Sequence, residues 1–296
     1  YSDTTTASYH DDRSRGPRTL LVGRRHGAGA RHGHTTNECE PLRPSEQCTR
    51  MTGRIDAALD AVASERASVR TEYEAFATFD SRVAELSTVT VPSGPPLVAD
   101  PRPSGQSLER VRTAYAETVM SVPHYEAEYG DTVAESLAAE FGDDLAAALL
   151  TGTALTPELR DAVRAAVSAA RREREAFLDV LGRETDSLAT MADDIDALRA
   201  DLDALDDRPL SARNFDELHD VWSTVRELEA RLDGIGLRRQ ETIRSHRSDL
   251  PGVPTDLCEY LYDDLSSSYP VLATLADLGD ELNGARRRVE CALVST

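Results

Sequence analysis

The stretch LGRETDSLATMADDIDALRADLDAL, residues 181–205, decides the fold. Leu181, Leu188, Met191, Ile195, Leu198, Leu202 and Leu205 hold the a and d positions of a heptad repeat, with Asp and Arg on the flanks, which is the pattern of a coiled-coil helix. The run DDIDALRADLDALDD lacks the Gly and closing Glu of a calcium loop, so its acids read as a solvated helix flank.

The helical pattern extends upstream to LTPEL, where Thr156 is placed to cap, Pro157 to open the first turn and Glu158 to favour the helix dipole. Downstream, the polar loop DDRPLSARN leads into a second helical pattern in which Phe215, Leu218, Trp222, Val225 and Leu232 point inward, running to about Arg247. Two matched helices joined by a short loop predict an antiparallel coiled-coil hairpin over about residues 156–248. DLPGVPTD ends it, and DLCEYLYDDL and PVLATLADLGDELNGARRRVECALV predict two further helices separated by SSSY.

Towards the N-terminus, Ile55, Leu59, Val62, Val69, Tyr73, Phe76 and Val83 predict one long amphipathic helix over 51–86. Residues 87–107, rich in Pro, read as a linker. LERVRTAYAETVM predicts a shorter helix that ends near Val122, because Pro123 disfavours helical geometry in the residue before it. PHYEAEY then reads as a single turn closed by Gly130, and Thr132 with Glu135 predicts a capping box opening the next helix. No strand is predicted. The expected fold is all-α, an elongated helical bundle with a long antiparallel coiled-coil hairpin.

Composition divides the chain near Met51. Residues 1–50 carry 8 Arg and 6 acidic residues, a net +2, whereas the remainder carries a net −22 of the total −20. The first segment is also without periodicity, so residues 1–50 are expected to be a disordered or spurious N-terminal extension ahead of a helical domain at 51–296. Lys is absent, every basic residue being Arg. An acidic folded chain suits concentrated salt, where a Debye length of about 3 Å at 1 M screens self-repulsion. No apolar run is long enough for a membrane helix, and a cytoplasmic location without membrane contact is expected. Four scattered cysteines make no disulfide framework, and Cys258 and Cys291 are expected to stay unpaired.

Motifs for chemistry are sparse. His26, His32, His34, Cys39 and Cys48 have the elements of a zinc site but not its paired spacing, and Gly27, Gly29 and Gly33 miss the dinucleotide fingerprint. Asp216 and His219 supply one carboxylate–histidine pair where a di-iron bundle needs two. No cofactor and no metal set is therefore expected. Arg171, Arg172, Arg174, Arg238, Arg239 and Arg286 to Arg288 lie among acids and read as solvated ion-pair faces, with no nucleic-acid partner expected. One polar corner stands out: His124, Tyr125 and Glu128 in VPHYEAEYG. His124 and Glu128 share a helix face and could hold a metal or exchange a proton; a structural corner pinned by Tyr125 and Tyr129 is the reading preferred here.

With these elements in place, the chain resembles an uncharacterised family of helical proteins from halophilic archaea. The likeness rests on AFATFDSRV, VRTAYAETVMSVPHYEAEYGD, LTPELRDAV, RREREAFLDVL, RRQETI, YLYDDL and YPVLATLADL, which span most of residues 51 to 290. It implies an all-helical form and a salt-adapted source, and brings no activity, cofactor or site residue. The expected function is that of a non-enzymatic interaction or scaffold protein that meets a protein partner, or itself, through its helices. The alternative is a small-ligand sensor or enzyme with a pocket at the His124 corner.

Overall fold

The structure is a computed structural model that describes residues 44–89, 106–249 and 256–295. Among these residues it is all-α, with no strand. Nine α-helices follow in order: α1 (Pro44–Ala84), α2 (Gln106–Thr118), α3 (Tyr125–Glu128), α4 (Val133–Phe141), α5 (Asp143–Thr151), α6 (Pro157–Ala204), α7 (Phe215–Asp249), α8 (Leu257–Leu261) and α9 (Pro270–Ser295). α1 starts ahead of Met51, with Pro44 in the first-turn position that proline tolerates. The extension expected at 1–50 otherwise lies outside the described residues, as does most of the 87–107 linker, and with them the His26, His32, His34 and Cys39 set.

The described residues form two compact units, one spanning Glu74–Arg172 and the other running up to Tyr73 and again from Glu173. In the first unit an aromatic cluster sets the core. Phe79 meets Tyr115 edge-on with ring centres 5.3 Å apart, Phe141 packs on Tyr115 at 5.6 Å, and the buried Tyr115 hydroxyl pairs with Ser136 Oγ at 2.8 Å. Arg164 of α6 holds Asp80 of α1 through Nε at 2.9 Å. The capping box is present as expected. Thr132 Oγ1 accepts from the Glu135 amide at 3.3 Å, and Glu135 accepts in return from the Thr132 amide at 2.9 Å.

In the second unit α6 and α7 run antiparallel, as a hairpin should. Arg231 of α7 pairs with Asp201 of α6, and one heptad further along α7 Arg238 pairs with Asp194, one heptad back along α6. α9 returns along α7, with Arg286 on Glu229 at 3.1 Å and Trp222 on Glu290 at 3.5 Å. Arg213 ties together the turn between α6 and α7. Arg213 donates to the carbonyls of Leu205 at 2.8 Å and Arg208 at 3.1 Å, occupying acceptors that a helix end leaves open. Asn214 and Glu217 then form a reciprocal cap on α7, at 3.0 and 2.9 Å.

The buried face differs from the expected spacing on α1 and α7, and Leu205, the last expected heptad position of α6, is half-buried in a 3-10 turn beyond the helix. On α1 the buried line is Ile55, Ala58, Val62, Glu65, Val69, Glu72, Phe76, Phe79 and Val83, while Leu59 and Tyr73 are only half-buried. Two glutamates thus occupy core positions that an apolar count passes over. On α7, Phe215 is 55% exposed, and the seam runs instead through Leu218, Val221, Val225, Leu228 and Ile235. Phe215 opens the helix three residues before that seam, one side of the stripe, and so faces water.

Gly182 lies inside α6 with nothing within 4 Å of where a Cβ would stand. Gly182→Ala is therefore expected to stabilise the protein by about 0.5–1 kcal/mol, visible as a higher melting midpoint by circular dichroism. At Gly152 the added Cβ would stand 2.4 Å from the Ala148 carbonyl oxygen, so Gly152→Ala is expected to lower the midpoint.

Candidate functional site

The corner singled out by sequence lies in the first unit. A 3-10 turn, Val119–Ser121, ends α2, and Val122 is extended (φ −63°, ψ 144°) as the residue before a proline prefers. Tyr125 then donates its amide to the Val122 carbonyl at 3.0 Å, and the Glu128 amide reaches the His124 carbonyl at 3.0 Å. Gly130 closes the turn at φ 60°, a left-handed angle suited to glycine. Tyr125 is buried, and its ring lies 5.2 Å from that of Tyr129. His124 and Glu128 are half-buried, and their ligand-bearing atoms lie within 4.8 Å of each other. One imidazole and one carboxylate at that separation could share a proton or contribute to holding a cation.

The second unit contains a set of buried polar groups, of which Arg174 and Arg239 are expected from sequence to lie on solvated faces. The α6 heptad continues upstream of Leu188 through Glu184, Leu181, Phe177 and Arg174, and all four are buried. On α7 the spacing that places Leu218 and Val225 in the seam repeats at Arg239 and His246, which are buried too. Arg174 and Arg239 are therefore not solvated faces, in contrast to the exposed Arg172 and Arg238. Arg239, 1% exposed, makes a bidentate pair with Glu184, fully buried, at 2.8 and 2.7 Å. Arg174 donates through Nε to Glu72 of α1 at 2.8 Å.

The residues after α7 complete this ionic core. Asp256 caps α8 by accepting from the Cys258 amide at 2.8 Å, which turns Cys258, Tyr260 and Tyr262 inward. The Tyr262 hydroxyl donates to Glu184 Oε1 at 2.5 Å, and that of Tyr260 to Glu65 Oε1 of α1 at 2.7 Å. The Cys258 sulfur lies 3.6 Å from Arg239 Nη2, and His246 Nδ1 lies 3.7 Å from Glu184 Oε2. Arg239 with Glu184, and Arg174 with Glu72, are thus paired inside the protein, the condition on which a charge can remain buried. Cys258 and Cys291 are both free thiols, the first buried and the second exposed.

These surroundings shift the protonation of the weak acids. Burial, and then the Glu184 charge, push the Cys258 thiol up to about 12 from 9.0. Burial and Glu184 likewise raise the Tyr262 phenol above its usual 10.0. Burial opposes the Arg239 charge, but the hydrogen bonds and charge of Glu184 outweigh it and raise its affinity for the proton. Both weak acids are raised in the folded state, so the stability they contribute is complete below their unfolded values and is lost as pH climbs through the folded ones. For Cys258 the window runs from 9.0 to about 12. The slope there is up to about 1.4 kcal/mol per pH unit for each group. Melting midpoints are expected to fall from pH 9 upward, and Cys258→Ala to remove the part of the fall that begins there.

The Domain of unknown function DUF7260 family matches residues 53–286, which takes in the corner, the hairpin and the ionic core. The chain belongs to the DUF7260 family. No curated protein and no solved structure matches it. The Asp216 and His219 pair of this DUF7260 chain is exposed on α7, where His219 rests 6.0 Å from the Trp222 ring. Among the described residues no helix is long and apolar enough to cross a membrane. The ionic core was missed because apolar residues alone were counted. Extending the same heptad by seven through charged residues finds Glu184, Arg174 and Arg239.

Proposed function

We propose that this DUF7260 chain is a non-enzymatic scaffold that recruits a protein partner, or a second copy of itself, through its helices. The supporting observation is the use made of its buried ionisable groups. Glu184 with Arg239, and Glu72 with Arg174, join one helix to another at heptad core positions, which is the arrangement that specifies helix register. Leu237, on the outer side of α7 and 67% exposed, offers such a partner an apolar contact. The acidic, lysine-free composition supports a setting of concentrated salt within the cell, and an acidic surface disfavours nucleic acid as the partner.

The test is sedimentation of the full chain in molar salt, alone and with material captured from its native host. A complex or self-association weakened by Leu237→Asp and kept by His124→Ala supports the scaffold. Monomeric behaviour with no capture, or capture indifferent to Leu237→Asp, defeats it. The second reading, a ligand or metal site at the corner, draws support from the proximity of His124 and Glu128. It predicts that the full chain binds a divalent cation and that His124→Ala abolishes this without lowering the melting midpoint.

A further inference from the structure

α8 is five residues long, too short to persist without tertiary support, and is held by side chains that reach three other helices. Tyr260 donates to Glu65 of α1, Tyr262 just beyond the helix donates to Glu184 of α6, and Arg239 of α7 approaches the sulfur of Cys258. Its apolar contacts include the Tyr260 ring edge-on to Phe177 at 6.4 Å, with Leu257 and Leu261 buried alongside. Every one of the three polar contacts thus ends on a charged side chain of the bundle.

We propose that residues 257–262 form a reversible lid over the ionic core, lifting as one piece while α6, α7 and α9 stay packed. The reason lies in what lifting uncovers. An apolar plug exposes apolar surface on both itself and its seat, and both oppose opening. Here the seat presents the Glu65 and Glu184 carboxylates and the Arg239 guanidinium, whose hydration replaces the phenol bonds they lose. Glu184 and Arg239 also keep both hydrogen bonds to each other, so neither is left as an unpaired charge. The cost of opening falls on the apolar side chains of the lid and on the Phe177 ring beneath it. Beyond the ionic layer the seam is apolar and buried, through Leu188, Met191, Ile195 and Leu198 on α6 and Val225, Leu228 and Ile235 on α7. Opening is therefore local and lies below global unfolding in free energy.

Cys258, 1% exposed when the lid is closed, reports the opening. The full chain carrying Cys39→Ser, Cys48→Ser and Cys291→Ser leaves it as the sole thiol, and its reaction with a maleimide is followed across sub-denaturing urea in molar salt. The lid predicts a trapping rate with a much shallower urea dependence than global unfolding followed by circular dichroism, since little surface is exposed. Tyr262→Phe removes one hydrogen bond to a charged group and is expected to speed trapping roughly 10-fold or more. Leu198→Ala, remote from the lid, destabilises the bundle and is expected to leave the rate in the absence of urea unchanged. A urea dependence equal to that of global unfolding, a Tyr262→Phe rate equal to that of the parent, or acceleration by Leu198→Ala in step with its lost stability would each overturn the lid. The melting transition of every variant is recorded alongside, so a chain that fails to fold is recognised and replaced by Tyr260→Phe, which weakens the lid at its other phenol.

Discussion

Arg239→Leu is expected to destabilise the protein by about 3–5 kcal/mol, because it strands the Glu184 carboxylate in the interior. Glu184 is fully buried and takes two hydrogen bonds from Arg239, so hydration cannot substitute for the missing guanidinium while residues 257–262 stay closed over it. Glu184→Leu is expected to cost a similar amount for the converse reason, the Arg239 charge being left without its partner. The double variant, Arg239→Leu with Glu184→Leu, is expected to be more stable than either single one, since two apolar side chains at facing heptad positions need no partner. Urea denaturation of the four proteins measures the coupling directly. Strict additivity of the two losses would show that the pair does not act as a unit.

Leu198→Asp is expected to have a still larger effect, at least about 4 kcal/mol, combining the lost burial of a core leucine with an unpaired carboxylate in its place. Leu198 is fully buried at the middle of the α6 heptad, between the buried Ile195 and Leu202. Small domains are stable by only about 5–15 kcal/mol, so a loss of that size removes much of the cooperative transition. His124→Ala gives the contrast. His124 is half-buried and its backbone, which the substitution keeps, supplies the hydrogen bond that shapes the turn. Its effect on melting is expected to be roughly 1 kcal/mol. Equal effects of the two substitutions would show that the Leu198 seam is not the main support of the hairpin.

Local signals were legible because their physical cause is local. The Thr132 and Glu135 cap, the extended residue before Pro123, the left-handed Gly130 and the antiparallel α6–α7 hairpin each follow from a few neighbouring residues or from periodicity. The candidate corner was legible for the same reason: His124, Tyr125 and Glu128 fall within one turn, and chain geometry alone brings them together.

The sequence by itself determined the all-α class, the lengths of the long helices and the hairpin, since helix period and breaking residues act through the backbone. Only the tertiary structure decided which charged residues lie inside. Arg238 and Arg239 are adjacent and chemically identical, yet Arg238 faces water beside Asp194 and Arg239 is enclosed with Glu184, Cys258 and Tyr262. Nothing within α7 separates the two except a rotation of about 100° per residue, and its meaning depends on where α6 and α8 stand. Burying an ion is unfavourable until its partner arrives from another helix, so its location belongs to the assembled fold and not to the segment that carries it.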